Sequence, residues 1–232
     1  VTRRALVISA HPDDIEFGAA GTVATWIAEG WDVRYVIVTS GQRGVQDPHQ
    51  DAEVFGALRE AEATEAARIT GVTDVTFLRW MDSEVAYGPD LQKVLSRQFR
   101  IHRPHRLISM DPQQLPTEMF VNHPDHRAVG TATLDITVTG GTTAAIFPDL
   151  LLEEGLEPWR ELEEIWIMGP AGGSTVVDIT DTFATKIAAL KAHTSQIDWD
   201  VETFLGARLA ARGEPHGYAY AESFRVITFP RR

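Results

Sequence analysis

The sequence predicts a doubly wound α/β fold, Rossmann-like, with helices on both faces of a mostly parallel sheet. Its active site is expected at the carboxyl ends of the strands. Three observations carry this. Two apolar runs, residues 5–10 and 33–39, flank a small-residue helix, which makes a βαβ unit with parallel strands. Strand-like and helix-like segments then alternate along the rest of the chain. The length, 232 residues, suits a single α/β domain spanning 1–232, large enough to bury a core without staples.

The elements follow in order. Residues 5–10 (ALVISA) are an apolar strand, and 17–29 (FGAAGTVATWIAE) a helix ended by Gly30. The second strand, 33–39 (VRYVIVT), leads into a polar loop over 40–51. An Ala/Glu-rich helix over 57–69 closes at Gly71. Residues 74–78 read as a third strand, 90–102 as a helix and 106–109 as a fourth strand. Residues 122–137 are helical again, although Thr-rich toward their end. A strand over 164–168 precedes the Gly-rich loop GPAGGST (169–175) and a short extended piece at 176–179. Helices over 182–196 and 202–212 and a last strand over 223–229 complete the pattern. One stretch, 140–162, is irregular and acidic: a solvated insertion, a lid or an oligomer contact.

Composition removes several classes of function. Formal charge is −12, from 21 basic and 33 acidic side chains, and this repels phosphate backbones, so nucleic acid is not an expected partner. Cysteine is absent, so a transition-metal site must be built from imidazole and carboxylate. No apolar run is long enough to cross a bilayer, and no basic-then-apolar segment opens the chain. A cytoplasmic protein with no membrane partner is the expectation.

Candidate chemistry gathers where strands end. His11-Pro12-Asp13-Asp14 follows the first strand, and Asn122-His123-Pro124-Asp125-His126 opens a helix. His123 and His126 are three apart and share a helix face. Pro124 suits the first helical turn, and Asp125 and Glu16 read as favourable charge at helix N-termini. A catalytic Zn²⁺ takes three N/O ligands and keeps an open position. His11, one acid of the pair and one of the two helix histidines would supply them. The remaining acid could then act as general base and the remaining histidine could stabilise an oxyanion.

Together these motifs resemble the LmbE/PIG-L family of metal-dependent N-deacetylases. AHPDDIEFG (10–18) and HPDH (123–126) are similar to its two metal motifs. TSGQRG (39–44), LREAEATEAARITGV (58–72), FLRWMDSEV (77–85), KIAALKAHTSQ (186–196) and AESFR (221–225) match intermediate and closing blocks. The resemblance implies His11, Asp14 and His126 as metal ligands, Asp13 as general base and His123 as oxyanion stabiliser. It further implies substrate contacts for Arg59, Asp82 and His193. The bland alternatives are an Arg59–Glu62 pair along one helix and a turn cap at Asp82. Gln42 departs from the family's usual Glu, which puts a charge near the site in doubt. His49, His102, His105 and His216 match no ligand motif and read as surface or structural residues, and Trp80 as a sugar-stacking or core residue.

The activity implied is zinc-dependent hydrolysis of an N-acyl group, N-acetyl first, from an amino sugar or glycoside, with Fe²⁺ accepting the same ligands. Water activated at the metal would attack the amide carbonyl while Asp13 accepts its proton. Two other readings compete. A non-haem iron oxygenase also uses two histidines and a carboxylate, but an extra acid abutting the ligand is foreign to it. A non-catalytic metal- or sugar-binding module would share the fold. A homo-oligomer is compatible with the sequence.

Overall fold

The computed structural model describes residues 2–116, 120–169 and 173–230. Among the described residues, seven strands form one sheet: β1 (Arg4–Ser9), β2 (Asp32–Thr39), β3 (Val75–Trp80), β4 (Arg106–Met110), β5 (Glu164–Met168), β6 (Thr175–Asp178) and β7 (Ala221–Thr228). Their spatial order is β3-β2-β1-β4-β5-β7-β6. Strands β1 to β5 run parallel, whereas β7 lies antiparallel between β5 and β6, so the sheet is mixed. The helices are α1 (Asp14–Gly18), α2 (Ala20–Ala28), α3 (Ala52–Thr70), α4 (Pro89–His102), α5 (Pro124–Ile136), α6 (Asp149–Leu152), α7 (Phe183–Lys191) and α8 (Val201–Gly213). They cover both sides of the sheet. No helix among the described residues is long and apolar enough to cross a membrane.

Strand β1 is the centre of the core. Val7 is paired with Tyr35 of β2 on one side and Ile108 of β4 on the other. Leu6, Val7 and Ile8 are wholly buried, as an uncharged run covered on both faces requires. The chain winds outward from β1 to β2 and β3, then returns to place β4 on the opposite flank. That reversal opens a crevice beyond the carboxyl ends of β1 and β4, where ligands bind in sheets of this kind. The segment after β1 carries His11 to Asp14, and the connection after β4 leads to His123 at the start of α5.

Three boundaries differ from the sequence expectation, each for a local reason. Helix α3 begins at Ala52, because the Asp51 carboxylate accepts from the N–H groups of Glu53 and Val54 and caps it there. The expected helix 182–196 stops at Lys191. Beyond it, Glu62 of α3 accepts from Thr194 Oγ1, Ser195 N and Ser195 Oγ, which bends the chain away. The expected helix 17–29 is two helices, broken at Ala19, whose φ of −148° is non-helical. The groups freed by the break are taken by a buried ion pair. Lys186 Nζ donates to the carbonyls of Glu16 and Phe17 and to Glu222 Oε1, while Glu222 accepts from the N–H groups of Gly21 and Thr22.

The acidic stretch 140–162 is fastened to α4. Arg100, 1% exposed, fans its guanidinium across the carbonyls of Gly140, Thr143, Ile146 and Leu156. Ion pairs Arg97–Glu154 and Lys93–Asp149 add to this on the outside. Of the loop 169–175, residues 170–172 lie outside the described residues.

Candidate active site

His11, Asp14 and His126 converge at the crevice. His11 Nδ1 stands 3.2 Å from His126 Nε2 and 3.5 Å from Asp14 Oδ2, and His126 Nε2 is 3.1 Å from Asp14 Oδ1. Tetrahedral coordination at Zn²⁺ bond lengths separates ligand atoms by roughly 3.3–3.5 Å. The two ring nitrogens lie close to that spacing and the Asp14 carboxylate reaches one of them with each of its oxygens, so two imidazoles and a carboxylate, donors that a divalent cation takes, are gathered at one place. His123 also brings a ring nitrogen within 4.8 Å of those of His11 and His126. Asp14 is aimed by the backbone, since its Oδ2 accepts from His11 N at 2.7 Å.

The other nitrogen of His11 is held by carboxylates. Nε2 lies 3.1 Å from Asp125 Oδ2 and 3.3 Å from Asp82 Oδ1. Asp125 is fully buried and also accepts from the N–H groups of Ser83 and Val85. Charge at the N-terminus of α5 therefore understates its part: it fixes the ring and tautomer of His11. Sequence reasoning missed this residue, and its place between the two histidines of HPDH was the available signal.

Asp13 stands beside this triangle on an unusual backbone. It is the N-cap of α1 with φ 91°, a left-handed conformation that costs a non-glycine residue about 1–3 kcal/mol. Arg59 holds it there, donating to Pro12 O at 2.7 Å, to Asp13 Oδ2 at 3.0 Å and to Gly41 O. Gly41 is itself left-handed at φ 61°, and a Cβ there would run into this guanidinium. Burial pushes the Asp13 carboxyl up, against the Arg59 charge, to about 7. Its neighbour Asp14 is held well below the usual range despite burial, chiefly by the charge of His126 and the hydrogen bond from His11. The adjacent acids are thus pushed apart in proton affinity.

His123 caps α5, and its Nδ1 accepts from Asp125 N at 3.2 Å. A ring that accepts at Nδ1 carries its proton at Nε2 when neutral. Burial and the neighbouring His11 charge lower its pKa, which keeps it in that neutral form. His11 and His123 pack edge to face with centroids 4.7 Å apart.

The three residues expected as substrate contacts are all buried. Arg59 is engaged by Asp13 and backbone carbonyls, not by Glu62. Asp82, 5% exposed, accepts from Arg43 N and Ser83 Oγ and faces His11. His193 is fully buried and turns its Nε2 to Glu16 Oε2 at 3.2 Å. Glu16 is correspondingly an interior partner rather than solvated first-turn charge. Trp80 packs half-buried against the core. His49 is exposed in a turn, His102 is buried against Gln98, and His105 accepts from Arg4 N far from the site.

Gln42 uses both ends of its amide: Nε2 donates to Trp80 O at 3.2 Å and Oε1 accepts from Asp82 N at 3.3 Å. A carboxylate could make only the second bond. Gln42→Glu is expected to destabilise the fold by ~1 kcal/mol, read as a shifted denaturant midpoint at unchanged slope. A midpoint that did not fall would remove this account of the amide.

A cavity of about 290 Å³ opens against the triangle, with Asp14 and His126 in its wall. Its apolar side is built by Phe17, Met110, Met168, Leu205 and Leu209, and polar groups including Asp111, Gln114 and Arg208 stand around it.

The PIG-L family model, described as GlcNAc-PI de-N-acetylase, matches residues 6–137, more than half of the chain and both histidine motifs. The chain belongs to the PIG-L family. N,N'-diacetylchitobiose deacetylase from Pyrococcus horikoshii, solved with an inhibitor, superposes with a TM-score of 0.88 at 30% identity, covering 97% of this chain and 84% of that one. Diacetylchitobiose deacetylase of Thermococcus kodakarensis is 29% identical over 97% of this chain and 83% of its own length. A 1D-myo-inositol 2-acetamido-2-deoxy-alpha-D-glucopyranoside deacetylase of Mycobacteroides abscessus is 29% identical over 84% of this chain and 82% of its length. These relatives are named deacetylases of N-acetylglucosamine-type substrates. The PIG-L match ends before Lys186, His193 and Glu222, the residues that buttress the turn carrying Asp14.

The same carboxylates set the charge state of His11 in this PIG-L chain. Burial opposes charge on His11, but Asp125, Asp14 and Asp82 overcome it and push the imidazole up from 6.5 to about 12. Its cation therefore stabilises the metal-free fold fully below pH 6.5, and that stability is lost as pH rises toward 12. A metal bound through His11 would need the neutral ring, so its binding would expel the proton and weaken as pH falls. Calorimetry in buffers of different ionisation heat should report about one proton or more released per ion at pH 7. Zero release would contradict a charged His11 in the metal-free protein.

Proposed function

We propose that this chain is a metal-dependent N-deacetylase that frees the amine of an N-acetylated amino sugar. His11, Asp14 and His126 would hold the ion, and Zn²⁺ suits the donor set. The observation that carries the reading is an ion-sized donor triangle with a separate carboxylate, Asp13, held beside it by Arg59.

A divalent ion bound there supplies Lewis-acid polarisation of the amide carbonyl and lowers the pKa of the attacking water. Asp13 takes the proton of that water as it adds to the carbonyl carbon. The His123 Nε2–H donates to the oxygen on which negative charge develops, and needs no proton of its own to be lost. Asp13 then returns its proton to the nitrogen as the C–N bond breaks, leaving a free amine and acetate. Asp13 would be favoured in its ionised, base-competent form by a cation held at these ligands. Arg59 orients Asp13, Asp125 orients His11, and Asp82 supports the same nitrogen. The net charge of −12 favours neutral or cationic amino sugars over polyanions.

The test is free-amine and acetate release from N-acetylglucosamine, N,N'-diacetylchitobiose and N-acetylglucosaminides, with metal content measured on the same protein. Stoichiometric release, lost on chelation and restored by Zn²⁺ or Fe²⁺, is expected. Metal-replete protein that frees no amine from any of them would overturn the proposal and favour a binding module.

A further inference from the structure

The cavity beside the triangle lies on one particular side of it. We infer that this cavity receives the acyl half of the substrate and that the enzyme prefers N-acyl chains longer than acetyl. The inference rests on the deacetylase reading above. During amide hydrolysis the reacting carbon carries the attacking oxygen, the developing oxyanion, the leaving nitrogen and the acyl substituent. The nitrogen must lie within reach of Asp13, which Arg59 ties toward α3. The oxyanion must meet His123. None of Asp13, Arg59 and His123 lines the cavity, whereas Asp14 and His126 do. With the nitrogen, and the sugar it carries, kept on the Asp13 side, the acyl substituent is the group that points into it.

Size and surface agree. An acetyl methyl occupies about the volume of one water, ~30 Å³, whereas the cavity holds about 290 Å³. Its apolar wall is formed by Met110 and Met168 at the strand ends and Leu205 and Leu209 of α8, with Asp111, Gln114, Arg208 and Arg212 also in the lining. Gly18 leaves room in this lining, because a Cβ there would press on the Met168 side chain. Methionine walls adapt readily to flexible chains.

The experiment compares N-acetyl-, N-butanoyl-, N-hexanoyl- and N-decanoylglucosamine on the metal-replete enzyme. Each buried methylene should raise kcat/KM by ~4-fold until the cavity is full, a preference on the order of 10² for hexanoyl over acetyl. Calorimetric binding of the same ligands to the Asp13→Asn protein should show the same order without turnover. Phe204→Ala removes an exposed wall residue and is expected to cut the hexanoyl-to-acetyl ratio severalfold, and Leu209→Trp, which fills the cavity, to abolish it. Should the tryptophan variant fail to fold, the wild-type series and Phe204→Ala still decide the matter. Hydrolysis of acetyl with slower or absent hydrolysis of longer chains overturns the inference and leaves the deacetylase reading standing. No hydrolysis of any member overturns the deacetylase reading, and the inference with it.

Discussion

Replacing Asp13 by asparagine is expected to lower kcat for N-acetyl hydrolysis by about 10²–10⁴-fold, with metal content per chain unchanged. The substitution isolates the proton-transfer role. Asparagine is among the few residues that tolerate φ 91° at this position, so the turn should persist. Its side-chain oxygen can still accept from Arg59 Nη2, as the Asp13 carboxylate does at 3.0 Å. Asp14, His11 and His126 keep their mutual positions because Asp13 contributes no edge to their triangle. What disappears is a group able to take a proton from water and return it to nitrogen. In the wild type, burial drives the Asp13 carboxyl up to about 7 in the metal-free protein, so its ionised form is lost as pH falls. Activity should accordingly decline on the acid side, and the variant's residual rate per bound metal ion should lack that limb. Acetate release against pH, with metal measured by mass spectrometry, reads both. A kcat within tenfold of wild type at equal metal content would show that the proton goes elsewhere.

The second large effect belongs to Asp125. Asp125→Asn is expected to weaken metal binding by roughly 10–100-fold, because a ligating imidazole loses the carboxylate that orients it and raises its basicity. Asp125 receives three donors: His11 Nε2 at 3.1 Å, Ser83 N at 2.8 Å and Val85 N at 3.3 Å. An amide offers one oxygen, so its NH₂ must turn toward a donor, and a buried polar group is left unpaired. Asp82, 3.3 Å from the same nitrogen, retains part of the orientation, which keeps the loss below that of removing a ligand. Competition with a chelator of known affinity measures the change. Proton release on uptake should shrink as well, because His11 loses its foremost carboxylate partner. Unchanged affinity would mean that Asp82 alone fixes the ring.

Much of this was legible in the sequence because local patterns specify local structure. Alternation of apolar runs with helices gave the parallel strands, and HPDD and HPDH fell at the ends of β1 and before α5, on the two sides of the crevice. The reversal of β7 was not legible, since its run 221–228 carries no mark of direction. Nor was the break at Ala19, because the partners that make it tolerable, Lys186 and Glu222, lie in distant segments. The same limit explains Asp125 and Glu16. Each reads as ordinary helix-start charge until the fold supplies His11 and His193 as partners. Arg59 and Asp82 stand near the expected place, but buried, where they hold other side chains.

The Lys186–Glu222 pair has a consequence for how the enzyme comes into being. The turn bearing Asp14 is fastened by a lysine and a glutamate from much later in the chain, both essentially inaccessible to solvent. A ribosome delivers the metal motif early and its buttress late, and chains fold as they emerge. The nascent protein therefore carries the HPDD sequence before it can hold the turn in its folded geometry. In temporal terms, a chain that has not yet delivered β7 lacks Glu222 and is expected to display the motif without its buttress.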